Sequence, residues 1–189
     1  MDWRTCTRCL LHRTRKKVVL GRGPKPATLL FIGEAPGKNE DLLGVPIVAA
    51  PGKILADALT AAARMAGVAV PAYYVTLACA CRPCASVEGE NRPPTGDELW
   101  ACFQRLEEEC KAVHPAAVVF LGALAHRACR ALFPAGVPLQ APAYILRSGG
   151  VGCPQWVRFV RSLSQLLRGL ENAKEIHEGK GGTVRRWKA

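Results

Sequence analysis

Two sets of residues in this chain have types and spacings that could do chemistry. The first is Gly33-Glu34-Ala35-Pro36-Gly37-Lys38-Asn39-Glu40-Asp41, which follows the apolar run Thr28-Leu29-Leu30-Phe31-Ile32. A short apolar run ending in glycine reads as a buried strand, and the turn beyond it is where an α/β sheet places reactive groups. Glu34 and Asp41 are the carboxylate candidates. In the plainer alternative Glu34 caps amides of the turn and Asp41 caps a short helix. Pro36 and Gly37 suit a loop whose backbone approaches a phosphate closely. Pro51-Gly52-Lys53 opens the next helical segment, where free amides and the lysine could hold another phosphate; a lysine on a solvated helix face explains Lys53 equally well.

The second set is drawn from nine cysteines. Cys6-x2-Cys9 delivers two thiols from one tight turn, and Cys79, Cys81, Cys84 and Cys102 follow. The amino terminus lacks the apolar stretch of a secretory leader. The longest apolar run, Ala116 to Ala125, is about half of the ~20 residues a membrane span needs. The expected setting is cytoplasmic, with no membrane partner. There a metal takes precedence over disulfides. The spacing admits an iron–sulfur cluster, zinc on the same thiolates, or reduced thiols packed as small apolar groups. Cys110, Cys129 and Cys153 are expected to be buried structural thiols.

These residues need a scaffold, and the chain supplies one. With 49% hydrophobic residues in 189, it can bury the core of a single domain. Strand-like runs at Leu29–Gly33, Tyr73–Ala78 and Ala117–Leu121 alternate with helical patterns at Gly52–Ala66, Asp97–Val113, Ala123–Leu132 and Gln155–Leu170. Alternation of this kind predicts a parallel sheet covered on both faces. Thr95-Gly96-Asp97-Glu98 has the form of a capping box. Residues 1–26 read as a metal-anchored arm of a domain spanning 1–171, and residues 172–189 as a basic, polar tail. The net charge of +11, from 26 Lys and Arg against 15 acids, favours a polyanionic partner, with nucleic acid first. Nothing implies an obligate protein partner.

Taken together, the Gly33–Asp41 segment, Cys6-x2-Cys9, Cys81-Arg82-Pro83, Asn91-Arg92-Pro93-Pro94-Thr95 through Cys102, and Pro142-Ala143-Tyr144-Ile145-Leu146-Arg147 resemble the iron–sulfur branch (family 4) of the uracil-DNA glycosylase superfamily. The resemblance implies a three-layer α/β/α fold with a central, mainly parallel four-stranded sheet. It also implies a 4Fe–4S cluster on Cys6, Cys9, Cys81 and Cys102. About five extra residues before Asn91 bring in Cys84, which would give a loop closer to the family's length, and Cys79 is a further candidate. Glu34 takes the position whose counterpart lines the pocket beside the scissile bond, with Gly33 and Ala35 adjoining it.

The resemblance fails at the base-reading positions. The family's aromatic in Gly-x-Pro-Phe-Val-Gly is Ile47, its asparagine before the Cys-Arg-Pro is Leu77, and its motif histidine is Ala141. Pro142, Tyr144 and Arg147 keep the segment that would enter the DNA minor groove. Losing a stacking ring and a base-edge reader removes ~1–3 kcal/mol of uracil binding each. The expected function is therefore a glycosylase for a modified pyrimidine bulkier than uracil, with glucosylated 5-hydroxymethylcytosine of phage DNA as a concrete case and antiviral defence as the role. The rivals are uracil repair, a non-catalytic DNA-binding module and a base-modifying transferase. No lysine stands out as a Schiff-base nucleophile, so a monofunctional hydrolase is expected.

Overall fold

The structure, a computed structural model, describes the backbone of residues 2–179 and the side chains of residues 2–173. Four strands form one parallel sheet: β1 (Leu29–Gly33), β2 (Tyr73–Leu77), β3 (Ala117–Leu121) and β4 (Val137–Leu139), in the order β2-β1-β3-β4. β1 is apolar throughout because it lies in mid-sheet with both faces covered. Helices α1 (Lys38–Leu43) and α2 (Ala49–Ala66) link β1 to β2. Helix α3 (Gly96–Val113) links β2 to β3, and α4 (Ala123–Cys129) links β3 to β4. Helices α5 (Pro142–Arg147) and α6 (Pro154–Gly179) complete the chain order.

Strand side chains alternate between two layers. Leu29, Phe31, Val75, Val119 and Leu121 pack with Leu55, Ala58 and Leu59 of α2 and Phe159 and Leu163 of α6. Leu30, Ile32, Tyr74, Val118 and Phe120 pack with Leu106, Cys110 and Val113 of α3 and Ala125 and Cys129 of α4. Each large side chain so buried contributes roughly 1.5–3 kcal/mol. The result is the α/β/α sandwich expected from the sequence. Cys110 and Cys129 are part of the apolar core; Cys153 is only partly buried.

Several boundaries differ from the sequence pattern. β4, Val137-Pro138-Leu139, shows no strand periodicity, and its proline is tolerated because the strand lies at the sheet edge. Residues 142–147, expected as a loop, form α5, with Pro142 at its first turn and Pro142 and Ile145 buried. Helix α2 begins at Ala49, ahead of the expected Gly52, and α6 continues past Leu170 to Gly179. Residues 172–179 of the expected tail are thus helical, and 180–189 lie outside the described residues. Among the described residues no helix is long and apolar enough to cross a membrane.

Candidate functional site

The amino-terminal arm is held along α3 and the edge of β2. Trp3 donates its indole N–H to Glu108 at 2.7 Å, and Arg8 lies over the Trp3 ring while donating to Gln104 at 2.8 Å. Arg22 and Val75 exchange backbone hydrogen bonds, each 2.8 Å, so the arm adds an antiparallel contact to the β2 edge. On the other side of the cysteines, α3 starts with the expected capping box. The Thr95 hydroxyl accepts from the Glu98 amide at 3.3 Å, the Glu98 carboxylate accepts from the Thr95 amide at 2.8 Å, and Arg92 pairs with that carboxylate at 2.6 Å. A box of this kind contributes about 1 kcal/mol and fixes the turn from which Cys102 projects.

Between arm, β2 and α3 lies a buried cluster of Leu11, Cys79, Ala80, Cys81 and Cys102, with Cys9, Val18, Ala35 and Leu99 against it. Cys9 packs against this cluster, and burial, with smaller additions from neighbouring Cys102, Glu98 and Cys6, raises its thiol above the usual range. Burial lifts the Cys81 thiol to about 11, opposed by the Arg15 guanidinium, which donates to its sulfur at 3.2 Å. Cys79 and Cys102 share a hydrogen bond at 4.0 Å; it holds the Cys102 thiol below its usual range and pushes Cys79 up. Cys84 is equally buried but lies outside this cluster, its thiol turned to the Arg82 carbonyl at 3.6 Å. The extra residues fold around Arg82, which donates to Asn91 at 2.6 Å and to the carbonyls of Val87 and Gly89.

Among the described residues no three Cys, His, Asp or Glu side chains stand close enough to enclose a single metal ion. Cys9, Cys79, Cys81 and Cys102 gather here, and N–H donors from Arg15 and the Ala80 amide are aimed at two of the sulfurs, a donor set that an iron–sulfur cluster accepts.

The carboxyl end of β1 divides the other candidates between its two faces. A Cβ on Gly33 would stand 2.7 Å from a Leu77 methyl and 3.4 Å from a methyl of Ile47, so these two side chains close over the glycine. The room expected from the loss of an aromatic ring and a histidine is therefore filled at this point by aliphatic carbon. Glu34 turns the other way, into a cleft of about 190 Å3 that it lines with Ala78, Leu99, Leu124 and Arg127. Burial holds its carboxyl above the usual range, and Arg127 offsets part of the rise. No donor is hydrogen-bonded to that carboxylate among the described residues. Ala35, next along, packs on the cysteine cluster, and Pro36 is buried.

Asp41 lies elsewhere. It is buried, and its carboxylate accepts the backbone amides of Lys16 and Lys17. This is a structural placement, distinct from both readings made from sequence. Glu40, which sequence reasoning passed over, accepts from the Gly37 amide and the Val48 amide, each at 3.1 Å. The signal was there in the spacing of Gly37 and Glu40 as helix cap and third residue. The Gly37 amide is thus engaged within the turn. Glu40 also steadies a strained connection, in which Ile47 and Ala49 have φ of 48° and 53°, a region costly for a β-branched residue. Lys53 pairs with Asp57 at 2.8 Å, the arrangement of a solvated helix face.

On α5, Ala141 caps the helix and lies against Gly122 at the end of β3, while Tyr144, Leu146 and Arg147 are exposed. Leu146 adds an outward apolar side chain to the two long ones expected. Beneath β2, Arg105 of α3 is 1% exposed and donates to the carbonyls of Leu77 at 2.5 Å and Ala78 at 3.0 Å, and to the Thr76 hydroxyl at 2.9 Å. Glu109, one turn on, pairs with Arg105 at 3.3 Å and accepts from Thr76 and the Gly21 amide. The i,i+4 spacing of Arg105 and Glu109 is visible in the sequence, but not that it faces inward.

Comparison with known proteins agrees with this architecture. The family model described as the uracil DNA glycosylase superfamily matches residues 20–164, more than three quarters of the chain; Cys6 and Cys9 precede that span. A type-4 uracil-DNA glycosylase of Archaeoglobus fulgidus is 37% identical over 121 residues, 64% of this chain and 56% of the relative. One of Thermotoga maritima is 36% identical over 120 residues, 64% of this chain and 58% of the relative. A type-5 uracil-DNA glycosylase of Pyrobaculum aerophilum is 38% identical over 85 residues, 45% of this chain and 35% of the relative. The match thus spans little more than half the length of the type-4 relatives.

Proposed function

The chain belongs to the uracil DNA glycosylase superfamily, and on that footing we propose that it hydrolyses the N-glycosidic bond of a nucleotide extruded from DNA, leaving an abasic site. The observation that carries the reading is Glu34, a half-buried carboxylate free of hydrogen-bond partners among the described residues and set beside an open cleft at the end of β1. Cleavage of this bond passes through an oxocarbenium-like sugar, and the base must leave the stack to be reached. Ionised Glu34 stabilises the positive sugar and orients the attacking water. Tyr144, Leu146 and Arg147, exposed on α5, enter the duplex and fill the gap left by the base. Pro36, Gly37 and Lys53 are left with structural roles: Pro36 is buried, the Gly37 amide is taken by Glu40 and Lys53 pairs with Asp57. Asp41 acts at one remove, by latching the arm.

The base is a pyrimidine other than plain uracil. Ile47, Leu77 and Ala141 offer carbon where a ring, an amide and an imidazole would stack on and read uracil, so discrimination rests on shape. Glucosylated 5-hydroxymethylcytosine is the test case, its sugar having to project away from Gly33, where Leu77 and Ile47 fill the space; removal of such a base from phage DNA is the biological role. Uracil itself is the second reading, favoured by the names of the relatives. Cys6, Cys9, Cys81 and Cys102 would hold a 4Fe–4S cluster, which when bound supplies a structural cross-link between arm, β2 and α3 and takes no part in the hydrolysis.

The test is alkali cleavage of matched DNAs containing uracil, cytosine, 5-hydroxymethylcytosine or its glucosylated form after incubation with the protein. Cleavage confined to the glucosylated DNA is expected. Preferred cleavage at uracil would replace the first reading by the second, and intact DNA throughout would overturn both.

A further inference from the structure

A groove of about 510 Å3 runs between the arm and the α1–α2 connection, with Arg4, Lys16, Lys17 and Arg22 on one side and Val45 and Pro46 on the other. We infer that it is a second phosphodiester track, which carries the DNA strand flanking the extruded nucleotide; the inference rests on the DNA reading above.

Charge is the first support. Arg4, Lys17 and Arg22 have no acidic partner among the described residues, and Lys16 has only Glu88 at 3.9 Å, with both side chains exposed. Four cations face one weakly engaged exposed acid, Glu88, and one buried acid, Asp41, whose oxygens are taken by backbone amides; a phosphate backbone relieves the remaining repulsion by displacing counterions. The groove is also longer than a single anion needs.

Construction is the second. The amides of Lys16 and Lys17 are bound by Asp41, so the backbone beneath both lysines is fixed. The Lys17 stem lies on Gly44, its Cδ 3.0 Å from where a Cβ would stand, so a side chain at 44 would have to push the stem aside and would also be strained by the φ of 75° there. Opposite, exposed Leu43 and half-buried Val45 present apolar surface suited to a sugar face.

Position is the third. The connection that walls the groove with Val45 and Pro46 carries Ile47 next in sequence, and Ile47 closes over Gly33. A strand in the groove therefore lies against the connection that carries Ile47 to the proposed base site. It lies on the β2 side, through the pairing of Arg22 with Val75, whereas the helix that carries Tyr144 and Arg147 starts against Gly122 at the end of β3. Two strand spacings separate β2 from β3, roughly 10 Å, so DNA contacts would flank the site on both sides.

The experiment measures binding of a fluorescein-labelled unmodified duplex against salt, together with excision under saturating enzyme. The combined variant Arg4→Ala, Lys17→Ala, Arg22→Ala is compared with Arg64→Ala, Lys111→Ala, Arg130→Ala. The latter removes the same charge from positions at the ends of α2, α3 and α4, away from the groove. With a slope of about 0.9 per phosphate, the groove variant should flatten log K against log salt by about 2 to 3 and the control by less than 1, and the control should keep wild-type excision. Glu88→Gln, which frees Lys16, should tighten binding. Equal flattening by both combined variants, with wild-type excision intact, would overturn the groove and leave the proposed function standing. Failure of the wild-type protein to bind DNA at low salt would overturn both.

Discussion

The carboxylate of Asp41 accepts the backbone amide of Lys16 on both oxygens, at 2.9 and 3.1 Å, across 25 positions of sequence. A buried acid whose acceptors are taken by amides holds backbone in place and has little freedom to shuttle protons. Asp41→Ala should therefore lower stability by roughly 1.5–3 kcal/mol, the range for hydrogen bonds to a charged group, while the folded fraction retains most of its single-turnover rate. Urea denaturation paired with active-site titration separates the two. A rate loss that outruns the stability loss would return Asp41 to the mechanism.

Glu34→Gln should keep DNA affinity and reduce excision by about 100-fold or more, the scale for removal of a charge-stabilising group. The pH dependence is a second test. Burial raises the Glu34 pKa, so the ionised form needed for catalysis is lost as pH falls through a value above the ordinary carboxylate range. Arg127 opposes that rise, so Arg127→Ala should move the acid limb of the profile further upward. An acid limb indifferent to Arg127 would detach it from Glu34.

Cys9→Ser or Cys102→Ser should strip iron and the associated visible absorbance from the purified protein. Cys84→Ser should leave both intact, because the Cys84 thiol is turned to the Arg82 carbonyl. Iron content by mass spectrometry decides the matter without any activity measurement, and loss on Cys84→Ser alone would reassign the third ligand.

Putting polar readers back should change substrate preference. Leu77→Asn with Ile47→Phe and Ala141→His is expected to raise uracil excision at least about 10-fold, given ~1–3 kcal/mol per restored contact. Leu77 is buried, so the new amide also carries a desolvation cost of about 1–3 kcal/mol. Melting temperature should fall as uracil activity rises, and a fall without a gain would mean that the pocket lies elsewhere.

The architecture was legible in the sequence where patterns are strong. The apolar run ending at Gly33, the capping box at Thr95 and the alternation of strands with helices each carry their own signal. β4 was not legible, because three residues around Pro138 form a strand only through pairing with β3. α5 was missed because its six residues owe their helix to Pro142 and Ile145 docking on the core. At the site, the residue types at 34, 47, 77 and 141 could be read in advance, but not that Glu34 and Leu77 face opposite layers. The burial of Asp41 and the inward turn of Arg105 depend on which helix packs where, and single-sequence periodicity carries no such information.

Arg105 fixes the end of β2 by its carbonyls and by Thr76, making no demand on the side chain at 77. The frame that presents residue 77 is thus independent of what that residue is. Such separation lets a lineage exchange an amide for an isobutyl group in a single step, with the main chain unmoved and the neighbouring cysteines undisturbed. Substrate range can then drift over generations on a scaffold that stays the same.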